Sequence, residues 1–546
     1  MQANNMTVRE ATLEVLRSFG VDRIFGNPGS TELAFLHQWP SDIEYVLGLQ
    51  EGCVVGMADG YAQATGRAAF VNLHSAAGLG HALGNLFTAF RNKTPLVVTA
   101  GQQARSILPL RPYLFAERAT EFPRPYVKSS VEPARAEDVP AAIAQAFLTA
   151  MQHPRGPVFV SIPSDDWARP AAVPPLRRID GRFVPEASAI RDLAEAIGAA
   201  HAPILVAGPE VDRDGAVGSL VAVAEKAKAA VWASPMSSRS SFPERHPLFA
   251  GFLHAAPGAV ATALQGADLV VVLGAPVFTF HVEGECATLL DGTTIWQVTD
   301  DPAEATSAGA GRSVLGTMRA SLDALLNVLP ETSRDAPRSR PLPSVPQAAT
   351  PMPPAWVLSR LSELMPADAI VVEEAPSHRT AIQQHLPRPG ADSFYTMSSG
   401  GLGYSLPASV GVSFARPDQR VVCLIGDGSA MYSIQAIWTA VRHVLPVTFV
   451  VMNNSGYGAM RSFSRILGAE NAPGIDIEGI DFVSLADGFG CPARRVIDHE
   501  QLDGGMTWAL AHEGPALIEL VVDPAVSGLF DNGKQGATAA KGEAER

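Results

Sequence analysis

Short apolar runs rich in Val and Ile recur along this chain, separated by stretches with helical spacing. They lie at residues 24–25, 43–49, 68–73, 96–100 and 158–162, then at 204–207, 230–233, 269–273 and 294–298, and finally at 369–372, 420–425, 447–452 and 516–522. Continuous rather than alternating runs, with helices between them, predict parallel strands covered on both faces. Thr7 followed by Glu10 is a capping-box signature, so a helix is expected to start just after Thr7.

Two proline- and arginine-rich stretches, 169–185 and 330–354, interrupt this rhythm. Proline removes a donor and fixes φ, which suits linkers over a surface. They divide the chain into an α/β domain over 1–170, a second over 188–330, a linker over 331–354, a third α/β domain over 355–528 and a mobile tail over 529–546. The expected architecture is three doubly wound parallel-sheet domains, in keeping with a length of 546 residues. No sequence repeat is evident.

Charge narrows the partners. A net charge of −14 disfavours nucleic acid and anionic membranes, while leaving room for a locally positive site that takes an anionic substrate. The apolar runs are too short to span a membrane. The start, Met1-Gln2-Ala3-Asn4-Asn5, has no basic segment ahead of an apolar core, so a cytoplasmic location is expected. Cys53, Cys286, Cys423 and Cys491 show no paired spacing, which argues against a disulfide framework or a zinc site.

Two motifs carry candidate chemistry. Gly426-Asp427-Gly428 and Asn453-Asn454 each follow an apolar run, with 27 positions from Asp427 to Asn454 and room for one helix between. The Asp427 carboxylate, the Asn454 amide oxygen and the Gly456 carbonyl form an oxygen set that suits Mg²⁺ shared with a diphosphate. Gly426 and Gly428 allow close backbone approach, and Ser429 is expected to begin a helix facing the phosphates. Asp-Gly and Asn-Asn are also common turn dipeptides. Either alone reads as a turn; the pair, after two strands, reads as a site.

Four further residues are ambiguous by position alone. Glu51 follows a strand and opens a helix, where ligands bind in α/β sheets but where the helix dipole also favours a carboxylate. Ser30, in Phe25-Gly26-Asn27-Pro28-Gly29-Ser30, is either an N-cap or an exposed site hydroxyl. His74 ends a strand and leads into Ser75-Ala76-Ala77-Gly78-Leu79-Gly80, which misses the dinucleotide fingerprint because Leu83 stands where the third glycine belongs. His281 follows a strand within Phe278-Thr279-Phe280-His281.

Together these segments resemble the thiamine-diphosphate-dependent 2-oxo acid decarboxylase and acetolactate-synthase superfamily, over residues 7–522. Phe25 to Ser30, Leu49-Gln50-Glu51, Asn72 to Gly78, the Phe278 to His281 segment and Gly400-Gly401-Leu402-Gly403 are most similar to the benzoylformate decarboxylase branch. The resemblance implies pyrimidine-binding, central and diphosphate-binding domains in that order. It implies thiamine diphosphate and Mg²⁺ as cofactors and a homotetramer with active sites between paired subunits. Metal ligands would be Asp427, Asn454 and Gly456, with Ser377, Gly401, Leu402, Gly428, Ser429 and Tyr457 around the cofactor. Glu51 would hold the pyrimidine, Leu402 would sit beneath the bent cofactor, His74 and His281 would transfer protons, and Ser30 would hold the substrate carboxylate. Tyr113, Leu114, Thr396, Ala459 and Phe463 fall at pocket-lining positions. Tyr113 and Thr396 bring hydroxyls where the branch has apolar side chains, and Pro376 replaces an expected diphosphate-binding hydroxyl.

The activity so implied is decarboxylation of an aromatic, benzoylformate-like 2-oxo acid to the aldehyde and CO₂. Three alternatives stand beside it: a carboligase of the acetolactate-synthase type, a nucleotide-binding oxidoreductase, and a relative that binds the cofactor without catalysis. The paired histidines favour protonation over carboligation, Leu83 weighs against the oxidoreductase, and Glu51 weighs against the inactive relative.

Overall fold

The structure is a computed structural model and describes residues 6–283, 292–469 and 472–525. Cys286 and the tail expected at 529–546 lie outside the described residues. The capping box forms as expected: the Thr7 hydroxyl accepts the Glu10 N–H at 3.2 Å, and helix Val8–Ser18 follows.

The strands assemble into three six-stranded sheets whose neighbours all run parallel, plus a two-stranded ribbon of Met6–Thr7 with Pro170–Ala171. Counting the six strands of each sheet in chain order, the first and third sheets share the order 2-1-3-4-6-5. The sequence betrays no repeat, yet the topology is duplicated. The central sheet has the order 3-2-1-4-5-6, one also used to bind dinucleotides at its carboxyl-end crevice. Here that end is filled. Lys93 of the first domain lies 2.7 Å from Glu210, which follows the first central strand, and 3.1 Å from Asp301, which follows the fifth. These ion pairs raise the lysine's affinity for its proton despite its burial.

Within the one chain the first and third domains pack helix to helix. Helix Glu51–Thr65 lies on helix Ser405–Ala415 so closely that a Cβ at Gly60 would meet the Ala408 carbonyl oxygen at 2.1 Å, and one at Gly411 the Met57 oxygen at 1.9 Å. Glycine permits this approach because it has no side chain to exclude. A single guanidinium joins all three domains. Arg239, 3% exposed, reaches Asp212 at 2.6 Å, Gln63 at 3.1 Å and Asp392 at 3.0 Å, and stacks over the Tyr395 ring at 4.5 Å. Its planar fork suits several partners at once.

Candidate active site

Strands Val421–Gly426 and Val447–Asn453 are paired neighbours, so the loops at their carboxyl ends meet. Asp427, 3% exposed, accepts the N–H of Gly428 through Oδ1 and of Gly456 through Oδ2, each at 2.8 Å. Burial pushes its carboxyl pKa up, against the pull of those two N–H groups. One terminal atom of the Asn454 amide stands 2.8 Å from the Gly456 carbonyl oxygen and 3.3 Å from Asp427 Oδ1. With its NH₂ in that position the amide hydrogen-bonds both; turned over, it presents its oxygen as a third ligand. With the amide oxygen turned inward, three oxygens surround one point, and an octahedral Mg²⁺ at ~2.1 Å would space neighbouring ligands by ~3 Å. The donor set therefore fits a hard cation. Gly456 adopts φ +153° to bring its carbonyl round, and Arg461 braces the loop by donating to the carbonyls of Asn454 at 3.1 Å and Ser455 at 2.8 Å.

Two details differ from the sequence expectation. Ser429 does not open a long helix: it lies in the single turn Asp427–Ala430, separated from helix Ala436–Arg442. Two short helices thus occupy the space expected for one. The turn instead approaches Tyr457, since a Cβ at Gly428 would stand 2.5 Å from that ring. Ser377 accepts the Ala459 N–H at 3.1 Å and so belongs to the same end of the domain, beside Pro376.

Glu51 occupies the first turn of helix Glu51–Thr65, which Gln50 caps by accepting the Cys53 N–H at 3.0 Å. Its Oε2 lies 3.0 Å from His81 Nδ1, and Gly78 leaves space beside its Oε1, where a Cβ would come within 3.1 Å. The carboxyl is thus anchored on one oxygen and uncrowded on the other.

His74 is held by Glu32, which is 2% exposed. His74 Nδ1 lies 2.8 Å from Glu32 Oε2 and 3.0 Å from Thr31 Oγ1. The Thr31 hydroxyl donates its only proton to Glu32 Oε1 at 2.6 Å, so both neighbours of Nδ1 are acceptors. Nδ1 must carry hydrogen, and Nε2 is the basic nitrogen of the neutral ring. The backbone N–H groups of Gly29 at 2.9 Å and Gly101 at 3.0 Å complete the shell around Glu32. No local signal marks Glu32 for this role; its contacts with Gly29, His74 and Gly101, at the ends of separate strands, are visible only in three dimensions. Ser30 is exposed and caps no helix, because helix Leu33–Leu36 begins after Glu32.

The pocket candidates divide. His281 and Phe463 meet across the central and third domains with ring centroids 4.8 Å apart, and Ala459 lies four residues before Phe463 on helix Gly458–Ile466. Leu114 adopts φ +64° and its carbonyl accepts the Ser75 hydroxyl at 3.0 Å, next to His74. Tyr113 is 89% exposed. Thr396 is fully buried, its hydroxyl accepting from Arg379 at 3.1 Å while Arg379 pairs with the buried Glu373 at 2.9 Å.

Three family models match the chain: the thiamine pyrophosphate enzyme N-terminal TPP binding domain over 6–119, the central domain over 190–325 and the C-terminal TPP binding domain over 375–520. Benzoylformate decarboxylase of Pseudomonas aeruginosa is 43% identical over 94% of this chain and 98% of its own length. Among solved structures, benzoylformate decarboxylase from Polynucleobacter necessarius superposes with a TM-score of 0.92 at 39% identity, covering 95% of this chain and 99% of that one. A thiamine diphosphate-dependent 4-hydroxybenzoylformate decarboxylase of Rhodococcus jostii gives 0.92 at 42% identity, covering 96% and 100%. Acetolactate synthases are more distant, at 29% identity over 94% of this chain for the large subunit of Parasynechococcus marenigrum. The chain belongs to the thiamine pyrophosphate enzyme family, in its benzoylformate decarboxylase-like branch of 2-oxo acid decarboxylases.

Proposed function

We propose that this chain is a thiamine-diphosphate- and Mg²⁺-dependent carboxy-lyase that releases CO₂ and an aldehyde from an aromatic, benzoylformate-like 2-oxo acid. The observation that carries the reading is the meeting of the Asp427 carboxylate, the Asn454 amide and the Gly456 carbonyl in a chain 43% identical to a benzoylformate decarboxylase. Asp427, Asn454 and Gly456 would hold the metal; Ser377, Gly401, Gly428, Ser429 and Tyr457 would line the cofactor, with Leu402 beneath it. Bound thiamine diphosphate supplies a carbon nucleophile and an electron sink for the step that expels CO₂.

The chain's own residues do the rest. Glu51 would hold the pyrimidine ring of the bound cofactor by a hydrogen bond. The Ser30 hydroxyl donates to the substrate carboxylate. His74, fixed by Glu32 with its proton on Nδ1, takes up and delivers protons through Nε2. His281, packed on Phe463, is the second proton carrier. Leu114, Ala459 and Phe463 contact the aryl ring.

The reading includes a cytoplasmic homotetramer whose sites lie between paired subunits, and domain limits at 1–170, 188–330 and 355–528, with a linker over 331–354. The exposure of Tyr113 and Leu110, 89% and 78%, supports a partner surface at the first-domain loop. Cys53, Cys423 and Cys491 are free and buried, as befits a reducing compartment. Among the described residues, no helix is long and apolar enough to cross a membrane.

The test is release of CO₂ and benzaldehyde from benzoylformate with added cofactor and Mg²⁺, with 4-hydroxybenzoylformate in parallel and Glu51→Ala as control. Full activity of Glu51→Ala overturns the mechanism. Acetolactate from pyruvate, with no aryl aldehyde formed, would favour the carboligase reading.

A further inference from the structure

Leu402 stands in Gly400-Gly401-Leu402-Gly403, a segment outside every helix and strand, with φ +73° at Gly400 and +97° at Gly403. Glycines give such a loop wide backbone freedom. A support that must resist a strained cofactor conformation cannot stand on a yielding loop. The backbone around Leu402 is accordingly tied down by side chains that come from elsewhere in the fold.

The main tie is Glu374. It ends strand Ile370–Glu374, is fully buried, and accepts three backbone N–H groups: Gly403 on Oε1, and Tyr404 and Ser405 on Oε2, each at 2.7 Å. A carboxyl in the core is costly unless its oxygens are satisfied, and these three donors satisfy it. Those of Tyr404 and Ser405 are also among the unpaired donors at the start of helix Ser405–Ala415, whose N-cap is Tyr404. A second tie comes from the opposite side. Asn85 Nδ2 donates to the Gly403 carbonyl at 3.1 Å and to the Gly52 carbonyl, next to Glu51, at 2.7 Å. Ahead of Leu402, the Ser399 hydroxyl accepts the Gly401 N–H at 3.0 Å and bonds the Thr88 hydroxyl at 2.8 Å.

We propose that Glu374 is a positioning residue for the cofactor: by clamping the backbone at 403–405 it fixes the height of Leu402, so that the side chain acts as a rigid prop. This rests on the functional reading above, in which Leu402 meets the cofactor. A functional side chain is only as well placed as the shell that supports it. Glu374 supplies that shell from the strand whose next turn carries Ser377, so prop and diphosphate pocket share one origin.

A helix cap alone would stabilise the fold without acting through Leu402, and a double-mutant cycle separates the two roles. Glu374→Gln keeps the shape but turns an NH₂ toward the N–H donors. In the cofactor-free chain, amide exchange at 403–405 should quicken at least about tenfold while other third-domain amides stay slow. Calorimetric titration with thiamine diphosphate in saturating Mg²⁺ should show affinity weakened about tenfold, and Leu402→Ala should show a similar loss. The double variant should then be no more than about twofold worse than the poorer single one. Losses that multiply, or a Glu374→Gln variant with unchanged affinity and exchange, overturn the proposal. Should Glu374→Gln fail to fold, Asn85→Ser releases Gly403 from its other side and enters the same cycle. A wild-type chain that binds the cofactor but decarboxylates no aryl 2-oxo acid overturns the functional reading alone, since the binding cycle and amide exchange still decide the clamp.

Discussion

Glu32 Oε2 and His74 Nδ1 lie 2.8 Å apart, and this contact fixes which ring nitrogen can act as a base. The pair joins two strand ends of the first sheet and is screened from water on the Glu32 side. Its chemistry depends on Glu32 being an acceptor at every contact it makes.

Glu32→Gln brings an NH₂ group into a shell built from donors, so the His74 ring loses its fixed tautomer. We expect kcat for benzoylformate to fall about 100-fold, the scale of a displaced general acid–base group, with KM changed far less. Steady-state kinetics across pH measure both; a parallel loss of substrate binding would assign Glu32 a different role.

Removal of metal should abolish activity. Dialysis against a chelator is expected to leave an inactive wild-type chain that Mg²⁺ restores. Asp427→Ala, which deletes one of the three proposed ligands, should need at least about tenfold more Mg²⁺ for the same recovery, because Mg²⁺ is held by few protein oxygens and the carboxylate is the charged one. A titration of activity against free Mg²⁺ decides it. Restoration of Asp427→Ala at the wild-type concentration would remove Asp427 from the metal site.

His378, adjacent to Ser377 and 6% exposed, has its pKa lowered from 6.5 to about 4 by burial. The unfolded chain therefore binds a proton below pH ~6.5 that the folded chain refuses until pH ~4. This group's contribution is fully present above pH ~6.5 and is lost as pH falls toward ~4, by about 3 kcal/mol in total. His378→Gln cannot titrate. Thermal melts between those pH values should show a shallower acid decline for the variant than for wild type.

Arg239→Met strands Asp212 in the interior, where burial already raises its carboxyl pKa. Breaking a buried pair from one side costs about 3–5 kcal/mol. Because Arg239 also contacts Gln63 and Asp392, the domains should come apart at different temperatures. Calorimetry should resolve separate transitions where wild type gives a more unified one.

Hydrophobic runs alone located the inner strands, since a strand covered on both faces must be apolar along its length. The strands that escaped the pattern are edge strands: Ser130–Val131, Phe249–Phe252, Arg312–Leu315, Phe394–Thr396 and Ala493–Val496. They are short, and several carry arginine or serine, as edges exposed to water do. Local motifs likewise marked the loops that bring Asp427, Asn454 and Gly456 together, because turn chemistry and adjacent strands act over short chain distances. Tertiary structure alone decided that Glu32 orients His74, that Glu374 grips the turn after Leu402, and that Thr396 is taken up by Arg379. Those contacts join residues far apart in the chain, through side chains whose types are common everywhere. Composition and periodicity carry no record of such pairings; only the packing of three sheets into one body selects them.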